Sequence, residues 1–170
     1  MALRGILTDE DAALRKRSRE VTDIDDRVLA LVDDMIETMR DAGGIGLAAP
    51  QIGVLRRIIT VELDDELYVL INPEILKMSG EQCEEEACLS VPGLIGRVNR
   101  PETVRIAGLS PDGERVEYEG SGLLAVAFCH ECDHLDGILF TDKASQVHRP
   151  DETIESDDSM GETEIGGDAQ

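Results

Sequence analysis

Residues 122–135, GLLAVAFCHECDHL, form an apolar stretch of helix length whose last turns carry His130 and His134 on either side of Glu131. Gly122 precedes the stretch and Gly137 follows it. On a helix, positions four apart lie about 40° from each other around the axis, so the two imidazoles can converge on one metal ion. Glu131 lies about 60° from His134, too short and offset to be a natural ligand but near enough to reach a water on such an ion. That is the geometry of a metal-activated hydrolase. The plain alternative is a helix with two surface histidines and a solvated glutamate.

Cys129 and Cys132 are interleaved with the histidines, but they are centred about 150° away from them around the helix. One metal does not easily take both pairs. A redox Cys-x-x-Cys is expected at the start of a helix after a strand, and this pair ends one, so both cysteines read as small buried thiols. A catalytic site normally has three protein ligands and one open position. His148 abuts the C-terminal segment and reads as a bystander, which leaves Cys83, Cys88 or one of many carboxylates as the third ligand.

The other elements follow from periodicity. From Asp25, DDRVLALVDDMIETMRDAGG places Val28, Leu31, Val32, Met35, Ile36 and Met39 on one helical face, ended by Gly43 and Gly44; the methionines read as core. The β-branched runs RRIITVE and LYVLINP read as strands, and TVRIAGL, SPDGE and RVEYEG as a hairpin whose turn is Asp112-Gly113. Residues 81–87, EQCEEEA, are polar and acidic and are followed by CLSVPG. The fold class expected is α+β: mostly antiparallel strands packed around a central helix carrying His-Glu-x-x-His, with an N-terminal helix.

Tyr68, Tyr118, Phe128 and Phe140 are the only aromatics among 170 residues, so the core must be aliphatic and stacking on bases is not available. Sixteen Lys and Arg stand against 37 Asp and Glu, a net charge of −21, which excludes binding of DNA or anionic membrane through bulk charge. The N-terminus has no apolar leader core, and no run approaches the ~18 apolar residues of a span. Four cysteines in such a chain read as thiols or ligands rather than disulfides, and the location expected is the cytoplasm. Residues 151–170 hold eight acids and no Lys or Arg. The division expected is a catalytic domain over 1–148 and an acidic, disordered tail over 149–170.

GIGLAAPQ (44–51), EACLS (86–90) and HECDH (130–134) resemble, in order and spacing, the three motifs of the peptide deformylases, a resemblance running from residue 1 to residue 143. It implies that Cys88, His130 and His134 hold Fe2+, with Zn2+ or Ni2+ able to substitute, and that Glu131 is the acid/base residue. Gln51, through its side-chain amide, and the backbone N–H of Leu89 would form the oxyanion hole. Ile45 and Gly46 would contact substrate, and an apolar pocket for the methionine side chain would draw on Ile45, Val126 and the aliphatic part of Glu86. Arg100 and Asp133 resemble a family ion pair that steadies the metal helix. The reaction implied is release of formate from the N-formyl-methionine of new polypeptides.

Two positions depart from the family pattern. Ala87 stands where Gly is usual, which would cost ~1 kcal/mol or more if the position needs a positive φ. Cys129 stands where Gln is common, removing a source of hydrogen bonds near the site. Family members often end in a basic helix thought to dock on the ribosome; the tail here is acidic, so any transient ribosome contact uses another surface. Two alternatives stand beside the deformylase reading: a zincin-type metallopeptidase, and a degenerate metal-binding homologue without turnover.

Overall fold

The computed structural model describes residues 2–150; the acidic segment 151–170 and its expected disorder lie outside the described residues. The chain begins with an irregular segment and a 3-10 turn at Ala12–Arg15, then enters α1 (Asp26–Asp41). The Asp25 carboxylate caps α1 by accepting from the Val28 N–H at 3.0 Å. Leu31, Val32, Met35 and Met39 are buried as the periodicity predicts, with Val28 and Ile36 packed partly against the same cluster. Buried Asp34 was not foreseen: its carboxylate accepts from the Ala2 N–H at 2.8 Å and from Arg4 Nε at 2.9 Å, tying the first residues to the helix.

After α1 come β1 (Gly46–Ala48), a 3-10 turn at Ala49–Ile52, β2 (Ile58–Leu63), β3 (Glu66–Ser79), β4 (Gln82–Cys88), β5 (Val91–Arg100), β6 (Thr103–Leu109) and β7 (Arg115–Ser121). Then follow α2 (Leu123–Leu135), a 3-10 turn at Phe140–Asp142 and β8 (Ser145–His148). Five strands form one sheet in the order β1-β2-β3-β6-β7, and three form a second in the order β4-β5-β8; every neighbouring pair is antiparallel. The β6–β7 hairpin turns at Asp112-Gly113 as expected, with Gly113 at φ 80° and its N–H donating to Ser110 O.

β2 is apolar on both faces because it has a helix on each side. Ile58 joins Met35, Met39 and Leu47 beneath α1, while Ile59 and Val61 join Leu70, Val104, Ile106 and Phe128 beneath α2. α2 packs against β1, β2, β3, β6 and β7 of one sheet and against β5 of the other. Contacts on so many sides explain why it is apolar around most of its circumference.

The three-stranded sheet was not legible in the sequence. Only Glu86 is buried in β4, so no alternation marks it, and β5 carries Pro92, Gly93 and Gly96. The pairing of Gln82–Ala87 with Arg100–Ile95 makes both of them strands, and a register shift at Ala87/Cys88 turns the chain out of the ladder there. Among the described residues the non-glycines with positive φ are Asp64, Asp65, Asn72 and Gln146. Ala87 is not one of them, so the strain envisaged for it is absent.

Candidate active site

Three elements supply the site. α2 presents His130, Glu131 and His134; the end of β4 presents Cys88; the 3-10 turn after β1 presents Gln51. One donor atom each from Cys88, His130 and His134 lies within 4.8 Å of the others, the sole group of three or more potential ligands so placed among the described residues. Cys88 Sγ is 3.3 Å from His134 Nε2. Cys83, the other thiol considered, is not in the group, and His148 lies on β8 opposite Ile95. Cys129 and Cys132 face the core between α2 and the five-stranded sheet, as the helix-face argument requires. Burial pushes the Cys129 thiol up to about 11 and the Cys132 thiol higher still, so neither is ionised near neutral pH.

His130 Nδ1 lies 2.9 Å from Glu86 Oε1, which leaves its Nε2 for another partner. Arg100 donates to both oxygens of the same carboxylate at 2.9 Å and to Asp133 at 2.6 Å, and Lys143 reaches Asp133 as well. The Arg100 and Glu86 side chains are 3% and 4% exposed, so the Arg100–Asp133 pair belongs to a buried network, not to a surface bridge. Glu86 therefore lines the cleft, but its carboxylate is committed to Arg100 and His130. Burial opposes charge on Glu86, yet the hydrogen bonds from His130 and Arg100 hold its carboxyl below the ordinary range. Burial likewise opposes charge on His130, but hydrogen bonds with Cys88 and Glu86 raise it to about 10. Burial and the charge of His130 push His134 well below its ordinary value.

Glu131 is 4% exposed, and its Oε2 is buried without a hydrogen-bond partner among the described residues. Burial raises its carboxyl to about 7. The backbone of β1 crosses so close to it that a Cβ on Gly46 would stand 2.5 Å from Glu131 Oε1. This close approach is the requirement that the glycine-rich motif meets.

The Gln51 side chain is held at both ends. Its Oε1 accepts from the Ala48 N–H at 2.9 Å; its Nε2 donates to Ser90 Oγ at 3.1 Å and faces Cys88 Sγ at 3.7 Å. Ser90 belongs to the second motif, where its place beside Leu89 gives no indication of Gln51 as its partner. A cleft of about 370 Å³ opens over these groups, and Ile45, Gly46, Gln51, Leu89, Val126 and Glu131 all line it. Ile45 is 40% exposed at its mouth.

Two imidazoles and a thiol within 4.8 Å of one another are a donor set that fits a soft or borderline divalent metal ion, and the partnerless Glu131 Oε2 is buried on the same helix as the imidazoles. The protein-family model for polypeptide deformylase matches residues 3–150. The peptide deformylase of Alkaliphilus metalliredigens is 55% identical over 143 residues, covering 84% of this chain and 97% of that protein. That of Acetivibrio thermocellus is 53% identical over 152 residues, covering 89% of each. The crystal structure of a peptide deformylase from Legionella pneumophila superposes with a TM-score of 0.83 at 44% identity, covering 85% of this chain and 88% of that one. The peptide deformylase structure from Thermotoga maritima gives a TM-score of 0.83 at 36% identity over 85% of this chain and 99% of that one.

Proposed function

The chain belongs to the peptide deformylase family and removes the formyl group from N-formyl-methionyl peptides, and from that premise we propose how its residues divide the work. Cys88, His130 and His134 hold a divalent metal, Glu131 moves the proton, and Gln51 with the Leu89 N–H receives the oxyanion. The observation that carries this reading is the convergence of the three donors within 4.8 Å beneath a cleft also lined by Glu131 and Gln51.

Bound at that donor set, the metal supplies Lewis acidity that can lower the pKa of water from ~15.7 toward ~7. Fe2+ suits one thiolate and two imidazoles, and Zn2+ or Ni2+ fits the same donors. Glu131, whose carboxyl is raised to about 7 by burial, takes the proton of the attacking water and later delivers it to the leaving amine. As oxygen adds to the formyl carbon, Gln51 Nε2 and the Leu89 N–H donate to the former carbonyl oxygen. The C–N bond breaks, and formate and the free N-terminal amine leave. Ile45, Gly46 and Val126 line the path of the methionyl residue, with Glu86 contributing its methylenes to the wall and its carboxylate to His130.

The metallopeptidase and the inactive homologue give way to this reading on the strength of the matched model and the 55% identical relative. We place the catalytic domain at 1–148 and the protein in the cytoplasm, where new polypeptides carry formyl-methionine. A net charge of −21 disfavours DNA or an anionic membrane as a partner held by bulk charge; no described helix is long and apolar enough to cross a membrane. Ribosome contact, where it occurs, uses a surface other than 149–170. The test is formate release from formyl-Met-Ala-Ser by iron-loaded protein kept anaerobic. Turnover that tracks bound iron supports the metal assignment, and turnover unchanged after complete chelation overturns it.

A further inference from the structure

Gln51 presents the catalytic cleft with a primary amide, and an amide can be misplaced in two ways: end for end, or by twisting its plane about the last side-chain bond, a torsion with broad preferences. The Ala48 N–H excludes the first error. It donates to Oε1 at 2.9 Å, and a flipped amide would set a donor against that donor. It does not exclude the second, because rotation about one contact leaves the plane free. Ser90 Oγ supplies the missing constraint, accepting from Nε2 at 3.1 Å on the side away from Ala48.

We infer that Ser90 is a positioning residue that fixes the plane of the Gln51 amide, spending one N–H of Nε2 on its own hydroxyl and leaving the other directed toward Cys88 Sγ in the wall of the cleft. The direction is fixed by the 3.7 Å approach of Nε2 to Cys88 Sγ. Two further features make Ser90 a rigid anchor. It is fully buried, at 0% exposure. Its backbone is also strapped to that of Gln51 through the N-terminal segment, because the Leu7 N–H donates to Gln51 O at 2.7 Å and the Asp9 N–H to Ser90 O at 2.8 Å. Residues 7–9 thus hold both halves of the pair at a set separation, although neither half is near them in sequence.

This inference rests on the reading of Gln51 as an oxyanion donor, and a double-mutant cycle separates the two. Ser90→Ala is expected to lower kcat about tenfold while KM for formyl-Met-Ala-Ser stays within about twofold, because an interaction made only in the transition state is loosened. Metal content per chain should not change. Gln51→Ala alone should lower kcat about 10²–10³-fold, and adding Ser90→Ala to it should cost nothing more. Ser90→Thr, which keeps the hydroxyl, should recover most of the loss; a Thr variant no better than Ala assigns the effect to packing and overturns the inference. An equal kcat loss from Ser90→Ala in both backgrounds, or loss of metal, also overturns it. A silent Ser90→Ala beside a damaging Gln51→Ala removes Ser90 alone, whereas a silent Gln51→Ala removes the oxyanion reading and Ser90 with it. Should Ser90→Ala fail to fold, Ser90→Gly enters the same cycle with the same outcomes.

Discussion

Glu86 Oε1 and His130 Nδ1 lie 2.9 Å apart, and the carboxylate that makes this contact is itself gripped through both oxygens by buried Arg100. The pair fixes the orientation of the ring and directs its other nitrogen toward Cys88 and His134. Partners of this kind typically contribute 10–100-fold to metal affinity. Glu86→Gln should therefore weaken metal binding by about that factor in a chelator competition. Unchanged affinity would mean that α2 alone orients His130.

Glu131 is adjacent in sequence to His130, a proposed ligand, but lies outside the group of three converging donors. Glu131→Ala should keep one metal per chain, measured by elemental analysis, and lose turnover by about 10²–10⁴-fold, the usual share of a positioned acid/base. Near-normal turnover would remove Glu131 from the mechanism.

Gly46→Ala tests the fit between β1 and that same carboxylate. The new methyl would meet Glu131 Oε1 at 2.5 Å and displace it. Displacements near 1 Å can cost about 10²-fold, so kcat should fall by at least tenfold with the metal retained. Gly5→Ala meets nothing within 4 Å and should leave kcat unchanged.

Asp34 provides a pH-dependent contribution to stability far from the chemistry. The Ala2 N–H and the Arg4 side chain hold its carboxyl below its ordinary value of 3.8. A carboxyl lowered in the folded state stabilises that state above the unfolded value and loses the contribution as pH falls through the folded one. Asp34→Asn should thus cost about 1.5–3 kcal/mol in urea unfolding at pH 7, a typical contribution of hydrogen bonds to a charged group. The gap between the two proteins should stay constant down to roughly pH 5 and narrow below about pH 4. A gap that widened in acid would contradict the assignment.

Much of the molecule is legible in its sequence. The face of α1, the β6–β7 hairpin and the separation of His130 and His134 from Cys129 and Cys132 all follow from local periods of 3.6 and 2, which each residue obeys with its near neighbours. The choice of Cys88 over Cys83 came from resemblance to a family, because spacing alone left both thiols open. β4, β5 and β8 stayed hidden because an acidic segment, a segment interrupted by Pro92, Gly93 and Gly96, and a segment of four residues become strands only when paired with one another.

Local chemistry can be read from the chain alone: which side chains lie on which face of a helix, and which motif glycines leave room for an approaching backbone. How polar groups distant in sequence satisfy one another emerges only once the chain is folded. Glu86 meets His130 across 44 positions and Gln51 meets Ser90 across 39. The reason is physical: a buried donor or acceptor must find a partner wherever the fold supplies one, and neither composition nor periodicity records where that will be.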